Sequence, residues 1–248
     1  MTAFFLKLIA CISMLIDHVG AVLYGAGVIR NLTLYYFMRI AGRIAFPFYV
    51  FMLVEGAFHT KSRLKYLIRL FVFALISEIP FDMAFNMSVL EFGSQNVFFT
   101  LALGLAAIIP VFFAVESTGK KRIALAAVSV LSVAACSAAA MFLKTDYGFS
   151  GVLTVAVIAV LTIPAKYVSV SKPIKRLINS AAYVIGVIAL ALLLDNSIEY
   201  FALAGLVFIA AYNGKKGYSG GLLKYAFYAY YPLHLGILGL IFNLKYLV

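Results

Sequence analysis

The chain has 248 residues, of which 65% are hydrophobic and only 12% are charged, and its formal net charge is +11. Soluble domains are about 45–50% apolar and about 25% charged, so this composition excludes an ordinary soluble protein and predicts that lipid surrounds the chain. The basic residues stand in short loops between apolar segments, a pattern that indicates membrane topology and argues against nucleic-acid binding.

A transmembrane helix needs about 20 mostly apolar residues. Nine stretches of the chain approach that length, with eight to ten as the range because the eighth is short and the sixth ends at Pro164. In chain order they cover residues 3–25, 32–55, 64–85, 96–115, 123–143, 149–164, 177–194, 200–212 and 223–244. We therefore predict an all-α, polytopic helix bundle that forms one integral membrane domain over residues 1–248.

The charge of the loops alternates along the chain. Every second loop is basic, and together these loops hold Lys61, Arg63, Lys65, Arg69, Lys120, Lys121, Arg122, Lys166, Lys172, Lys175, Arg176, Lys215, Lys216 and Lys224. The other loops hold Arg30, Lys144 and Lys245 beside Glu91, Asp146, Asp195 and Glu199. Since Lys and Arg accumulate in cytoplasmic loops, we predict a cytoplasmic N-terminus and an external C-terminus.

Some ionisable side chains interrupt the predicted helices instead of standing between them. They are Asp17, His18, Arg39, Arg43, Glu78 and His234. A charge near the bilayer centre costs about 2.5–3.5 kcal/mol on insertion scales, and such residues usually face a bundle interior or a polar cavity. The predicted topology places this group between the midplane and the outer face, so we predict a functional site there.

Two interpretations of Asp17 and His18 stay open. His18 could act as a general base, because its ordinary pKa is near neutrality. Neighbouring residues on a helix point about 100° apart, so Asp17 and His18 do not face each other, but Asp17 or another carboxylate could orient the imidazole and stabilise its cation. In the alternative interpretation, both side chains join helices through hydrogen bonds.

Arg39 and Arg43 are four residues apart and project from one face of a helix. They could form an internal ion network with Asp17, Glu78 or Asp82, or bind an anion such as a phosphate. Pro47 is expected to bend the same helix.

Glu78 and Asp82 are also four residues apart, with Pro80 between them. Pro80 is expected to kink the helix near its outer end. The two carboxylates could pair with the arginines, which we favour, or they could relay protons, orient His18 or bind a cationic acceptor. Glu55, near the cytoplasmic interface, is expected to pair with a basic loop residue.

Further polar residues lie at the same depth. Asn96 and Thr100 begin the fourth helix, and His234 follows Pro232 near the middle of the ninth. His234 either lines the site or only packs there. Asp146, in the outer loop before Gly148, either turns the chain or closes the mouth of a pocket.

The chain lacks the nucleotide-binding, zinc-binding and serine-hydrolase motifs of soluble enzymes. Asp17, His18 and His234 could in principle hold a metal ion, but their spacing gives no support, and no metal is expected. Cys11 and Cys136 lie within predicted helices and are expected to be free packing residues rather than a disulfide.

Eight blocks of the sequence, which together cover nearly the whole chain, resemble the TraX family in the family's order. They are DHVG (17–20), RIAGRIAFPF (39–48), EG (55–56), SEIPFD (77–82), NVFFTLALG (96–104), DYGFSGVL (146–153), YNGKKG (212–217) and KYAFYAYYPLHL (224–235). The resemblance implies a multi-pass acetyltransferase of the bacterial cytoplasmic membrane, similar to the enzyme that acetylates the N-terminal amine of conjugative pilin and to wider membrane acyltransferases.

The resemblance also implies roles for individual residues. His18 matches the histidine proposed to be catalytic, with Asp17 or Glu78 orienting it. Cytoplasmic acetyl-CoA is the implied donor, with Arg39 and Arg43 near its phosphates or thioester. The implied acceptor is an amine or hydroxyl of a surface peptide or glycan, and residues that could contact the substrates or stabilise an oxyanion are Asp82, Asn96, Thr100, Asp146 and His234. Direct transfer and an acetyl-histidine relay stay open.

Two other classes of function fit the same residues. Buried charges and kinked helices also occur in proton-coupled transporters and flippases. A non-catalytic assembly factor for a surface organelle would use the charges only to hold its helices together. Acetyl transfer from labelled acetyl-CoA separates the enzyme from both.

Overall fold

The computed structural model describes residues 1–218 and 220–244. Within these residues the chain forms ten α-helices, one 3₁₀ helix and no β-strand. The α-helices are α1 Ala3–Gly25, α2 Leu32–Gly42, α3 Ala45–His59, α4 Arg63–Phe85, α5 Val97–Val115, α6 Gly119–Phe142, α7 Gly148–Tyr167, α8 Lys172–Leu194, α9 Leu206–Ala210 and α10 Gly221–Leu244. The 3₁₀ helix, Ser197–Gly205, lies between α8 and α9. Lys245, which the sequence predicts on the external side, lies outside the described residues.

The all-α membrane class is confirmed, but the count of nine spans is not. Six described stretches are long and apolar enough to cross a membrane: α1, Leu32–His59, α5, α6, α7 and α8. The other predicted spans fall on α4, on Ser197–Ala210 and on α10. Helix α4 carries Lys65, Arg69, Glu78 and Asp82 within its length, and Ser197–Ala210 is shorter than a span.

The second predicted span is a broken helix. Helix α2 ends at Gly42 and α3 begins at Ala45, with Arg43 at the break. Pro47 has no N–H to bond the carbonyl of Arg43, and its ring crowds that carbonyl. The predicted bend is therefore confirmed one turn before the proline, and it carries the Arg43 side chain into the protein interior.

Helix α3 forms the centre of the bundle, and α6 its most exposed part. Most of α3 is buried, and it packs against α1, α5, α7, α8 and the 3₁₀ helix. On α6, only Ser129 and Ala140 are buried although the helix is strongly apolar. An apolar surface of that extent is suited to lipid rather than water. Together with the six long apolar stretches, it indicates a multi-pass membrane protein.

The basic loops meet at one end of the bundle, which we call the basic end. There, Arg63 pairs with Glu116 at 3.0 Å, and Lys166 pairs with Glu55 at 2.5 Å. The start of α1 is bonded to the loop before α10, since the Ala3 N–H donates to the Lys215 carbonyl. At the opposite end, Gln95 and Thr145 form an isolated bridge. Loops of the two charge classes thus lie at opposite ends, as the alternating pattern requires.

Candidate functional site

A buried ion network joins α1, the α2–α3 break and the 3₁₀ helix. Asp17 accepts hydrogen bonds from Arg39 Nη1 at 2.7 Å and from Arg43 Nη2 at 2.6 Å. Arg43 Nη1 donates to Glu199 Oε1 at 2.7 Å. The side chains of Arg43 and Glu199 are 7% and 1% exposed. An arginine this deeply buried needs anionic partners, and the structure supplies two, as the ion-network interpretation predicted for Asp17.

Gly42 makes the close approach of α1 and α2 possible. A Cβ atom at this position would overlap the Cβ and Oδ1 atoms of Asp17. Arg43 is held further by a bond from its Nε to the Arg39 carbonyl at 3.0 Å. The sequence RIAGR thus contains both arginines and also Gly42, the small residue that lets the carboxylate of Asp17 reach them.

Sequence reasoning missed Glu199. It was assigned to an outer loop, but it is buried in the 3₁₀ helix, where its carboxylate pairs with Arg43. The available signal was a lone acidic residue next to an apolar stretch too short to span a membrane. Its partner could not be predicted locally, because six helices, α3 to α8, lie between Arg43 and Glu199 in the sequence.

The expected pairing of Glu78 and Asp82 with the arginines is wrong. Glu78 accepts from the backbone and side-chain amides of Asn96. Asp82 accepts from Asn86 at 3.0 Å and from the Glu91 N–H at 2.8 Å, which holds the following loop. The reason is packing: α4 lies against α5 and α10, whereas the arginines lie against α1 and the 3₁₀ helix.

Asn96 and Thr100 are bonded to the protein itself. The Asn96 side chain also donates to the Ala74 carbonyl at 2.8 Å and caps α5 by accepting from Phe98 N–H at 3.0 Å. Thr100 donates to Thr145 Oγ1 at 3.0 Å or to the carbonyl of Asp146. These bonds hold the start of α5 against the 144–147 turn, so neither side chain has a free donor aimed at a substrate.

The turn that contains Asp146 is held by backbone bonds and by an aromatic stack. The Asp146 N–H donates to the Gln95 carbonyl at 2.7 Å, and the Asp146 side chain is exposed. Tyr147 adopts a left-handed backbone (φ 62°) and stacks on Phe46 with ring centroids 3.8 Å apart. This turn lies over the end of the α3, α5 and α7 packing that is opposite the basic end, so Asp146 stands in a turn of the chain, the first of its two predicted roles.

His18 and His234 form a hydrogen-bonded pair across α1 and α10. His18 Nδ1 lies 2.7 Å from His234 Nε2, and His234 Nδ1 lies 2.7 Å from the Tyr230 carbonyl oxygen. A carbonyl oxygen only accepts, so His234 Nδ1 carries a proton, and the Nε2 of neutral His234 is an acceptor. His18 Nδ1 must then donate, which leaves a lone pair on Nε2 of neutral His18.

This arrangement corrects the expected partner of His18. Neither Asp17 nor Glu78 orients the imidazole; Asp17 is bonded to the arginines and Glu78 to Asn96. The orienting group is His234, as the second histidine of a carbonyl–histidine–histidine chain. The sequence predicted both histidines between the midplane and the outer face, but α1 and α10 are the first and last α-helices described, and their contact is a property of the fold.

Aromatic rings enclose the pair. The Phe85 ring and the Tyr231 ring meet the His18 ring edge-on, with centroids 5.4 Å and 5.8 Å away. Tyr231 is buried, and His234 is 6% exposed. Apolar surroundings of this kind strengthen hydrogen bonds by excluding water.

A cavity of about 740 Å³ opens at the basic end and reaches toward the histidines. Its wall includes Met14, one helical turn before His18 on α1, and Tyr231, whose ring contacts both histidines. This is within the usual range for small-molecule sites, about 300–1,000 Å³. The cavity therefore leads from the basic end to the immediate surroundings of His18.

Glu55 lines this cavity and pairs with a basic residue, as the sequence predicted. It accepts from Lys166 at 2.5 Å and from Tyr212 at 3.3 Å, and His59 lies 3.1 Å away. Cys11 and Cys136 are both free thiols. Among the described residues, no group of three or more His, Cys, Asp or Glu side chains could hold a metal ion.

Comparison with known proteins places the chain in one family. The family model described as TraX protein matches residues 3–242. A probable fimbrial assembly protein FimC, serogroup H1, from Dichelobacter nodosus is 32% identical, and the match covers 96% of this chain and 94% of that protein. No solved structure matches the chain.

Proposed function

This chain belongs to the TraX family, and on that premise we propose that it is an integral membrane acetyltransferase. It moves an acetyl group from cytoplasmic acetyl-CoA to an amine or hydroxyl of an exported or cell-surface acceptor. The acceptor is the N-terminus of a pilin or another peptide, or a surface glycan. The proposed location is the bacterial cytoplasmic membrane, with the basic end facing the cytoplasm.

One observation carries this proposal: the hydrogen-bonded chain from the Tyr230 carbonyl through His234 to His18. It holds His18 in the tautomer whose Nε2 accepts a proton. The logic resembles that of a catalytic triad, in which a second group fixes the tautomer of the base and stabilises its cation. Here a neutral histidine replaces the carboxylate.

Direct transfer follows from this geometry. The nucleophilic atom of the acceptor attacks the acetyl carbonyl carbon while its proton passes to Nε2 of His18. His234 stabilises the resulting cation by accepting from His18 Nδ1. The carbon–sulfur bond then breaks, and the proton moves from Nε2 to the thiolate of CoA. General-base catalysis of this kind contributes about 10²–10⁴-fold to a rate.

An acetyl-histidine relay uses the same lone pair. In that route, Nε2 itself attacks the acetyl carbon and the carbon–sulfur bond breaks, so that CoA leaves as the thiolate. The acceptor later attacks the same carbon, the carbon–Nε2 bond breaks, and the acceptor's proton passes to the freed Nε2 and from there to water or the thiolate. The relay suits a membrane enzyme because donor and acceptor approach from opposite sides without meeting. Trapping an acetylated protein in the absence of acceptor distinguishes the two routes.

The ion network has a supporting role in this proposal. Arg43 is bonded on both sides and is nearly inaccessible, so it holds α1, α3 and the 3₁₀ helix in register. The Arg39 side chain is 26% exposed and, within residues 1–218 and 220–244, bonds one carboxylate, that of Asp17. Its remaining N–H donors could bind a carboxylate or phosphate of the acceptor on the outer side.

A second candidate is a non-catalytic assembly factor for fimbriae. It is favoured by the similarity to the Dichelobacter nodosus protein, which is named a probable fimbrial assembly protein. In that case the histidine pair and the ion network would only hold helices together, and CoA would have no role.

The deciding experiment measures thiol release from acetyl-CoA by the purified protein in detergent, with and without envelope extract. Wild type is compared with His18→Ala and His18→Gln, after both variants are shown to melt as the wild type does. We expect acceptor-stimulated release that disappears in both variants. Equal release in all three proteins removes His18 from the reaction, and no release from the wild type supports the assembly factor.

A further inference from the structure

The cavity at the basic end has an unusual charge distribution. Lys7, Lys61, Arg69, Lys216 and Lys224 all line it. Lys7 is within electrostatic range of Lys216 and Lys224, and Lys224 is within range of Arg69 and Lys216. Among the described residues, none of these five cations forms a salt bridge. We call Lys7, Arg69, Lys216 and Lys224 the cationic rim.

The rim is more than a topology signal. Loop cations that only mark the cytoplasmic side need not converge; Lys120, Lys121 and Arg122 are exposed at the start of α6 and do not line this cavity. The rim residues come from α1, α4, α10 and the loop before α10, and they repel one another. Arg69 Nε is buried without a hydrogen-bond partner. Mutually repelling cations around a cavity favour an anionic ligand.

Aromatic rings stand next to the rim. Phe4 meets Tyr218 and Phe227 edge-on, with centroids 6.0 Å and 5.9 Å apart, and Tyr218 is 78% exposed. All three rings line the cavity. Such rings offer a surface on which a nucleobase can stack. A phospholipid headgroup has no flat ring that could stack on these side chains.

The distance from the cationic rim to the histidines also favours a ligand with a long arm. Lys7 and His18 are on the same helix, and at 1.5 Å per residue they lie about 16 Å apart along its axis. The arm of CoA between its pyrophosphate and its sulfur has about thirteen bonds. An extended polypeptide spans about 3.5 Å per three backbone bonds, so an arm extended in the same way spans roughly 15 Å. With its phosphates at the rim, the thioester therefore reaches the level of His18.

The cavity wall between these two levels suits that arm. Met14, Leu53 and Leu101 line it, and Tyr231 stands near the histidines. The family resemblance had implied that Arg39 and Arg43 lie near the phosphates or the thioester of the donor. Both pair with Asp17, and Arg43 also with Glu199, so the phosphates need other cations.

We propose that the cationic rim binds the phosphates of the 3′-phosphorylated ADP end of CoA, with the adenine on the Phe4–Tyr218–Phe227 rings and the thioester arm in the cavity. This inference rests on the proposed acetyltransferase function and names the donor site for it. It also explains why the donor enters from the basic end.

The test measures binding of CoA, dephospho-CoA and adenosine 3′,5′-bisphosphate to the purified full-length protein in lipid nanodiscs. The variants are Lys216→Ala/Lys224→Ala for the rim and Lys120→Ala/Lys121→Ala as the matched control. All four lysines are exposed, so neither pair should alter folding. We expect the rim variant to bind CoA at least tenfold more weakly and with a smaller salt dependence. The control should bind as the wild type does.

Further measurements distinguish a failure of the donor-site inference from a failure of the acetyltransferase proposal. His18→Ala should bind CoA normally while transferring nothing, so a loss of catalysis is not mistaken for a loss of binding. If the wild type transfers acetyl groups but the rim variant binds CoA unchanged, the donor site is elsewhere and this inference is wrong. Nanodiscs with and without anionic phosphatidylglycerol test the lipid source; if that lipid occupies the rim and excludes CoA, the inference is also overturned. If CoA binds at the rim but no transfer occurs, the site stands and the enzyme proposal fails.

Discussion

His18 and His234 are 216 positions apart in the chain, yet their ring nitrogens lie 2.7 Å from each other. The two rings are nearly parallel, with an interplanar angle of 12° and centroids 5.0 Å apart. Because the Tyr230 carbonyl sets the proton on His234, it also sets the tautomer of His18. This relationship makes His234 a positioning residue in the proposed reaction.

Substitution of His234 should slow catalysis without weakening donor binding. In His234→Ala, the Nδ1 proton of His18 loses its acceptor, so the imidazole is free to rotate and change tautomer. We expect kcat to fall by about 10²-fold, in line with the loss of a group that orients a catalytic ligand or base, while KM for acetyl-CoA stays within about twofold. The measurement is the initial rate of thiol release across a range of acetyl-CoA concentrations.

His234→Gln provides the matched variant, because a glutamine oxygen can accept the same hydrogen bond. It should recover part of the lost rate. A purely structural role for His234 would lower the melting temperature of both variants and would not distinguish them by kcat.

Loss of the Asp17 charge should destabilise the bundle. In Asp17→Asn, Arg39 keeps at most a neutral acceptor and Arg43 retains only Glu199, so buried positive charge is left uncompensated. Removing one partner of a buried ion pair costs about 3–5 kcal/mol, and we expect the free energy of unfolding to fall by that amount. Titration from mixed micelles into SDS measures it. Asp195→Asn is the control: Asp195 is exposed in a left-handed conformation that Asn also accepts, and an equal loss there would show that the network adds nothing specific.

Gly42 should be intolerant of a methyl group. Gly42→Ala pushes a Cβ atom into Asp17, so α1 and α2 must separate or Asp17 must leave the arginines. Overpacking of this kind costs about 1–3 kcal/mol. Gly25→Ala is the comparison, because nothing lies within 4 Å of a Cβ there, and it should change stability by less than about 1 kcal/mol. Equal effects at the two glycines, measured by the same SDS titration, would falsify the proposed close approach.

The direction of insertion can be tested by labelling single cysteines. In a background with Cys11→Ala and Cys136→Ala, Asp195→Cys should react with a membrane-impermeant maleimide added to intact spheroplasts. Lys121→Cys should react only after the membrane is opened, because the basic loops are expected to face the cytoplasm. The reverse labelling pattern would place the basic end and the cavity outside, where acetyl-CoA is absent.

Much of the architecture was accessible from the sequence because it depends on local information. Apolar length and loop charge predicted a polytopic helical protein. Residues 32–55 fall on the two helices α2 and α3, residues 200–212 on the 3₁₀ helix and α9, and each of the other predicted segments on one α-helix. The four-residue spacing of Arg39 and Arg43 placed both on one face and made an ionic partner necessary. The break near Pro47 followed from proline chemistry, and the eight sequence blocks identified the family.

The tertiary structure decided which partner each buried polar side chain has. Glu78 and Glu199 are both carboxylates that the sequence predicts on the outer side of the membrane midplane, and no local pattern indicates which of them meets Arg43. The answer depends on whether α4 or the 3₁₀ helix packs beside the α2–α3 break, and many helix contacts together determine that packing. The same holds for His18 and His234, and for the cationic rim, whose members come from distant parts of the chain. Hydropathy sets how deep a side chain lies in the membrane, since burial from water depends on the residue itself; the direction it faces and the group it meets depend on how the whole bundle closes.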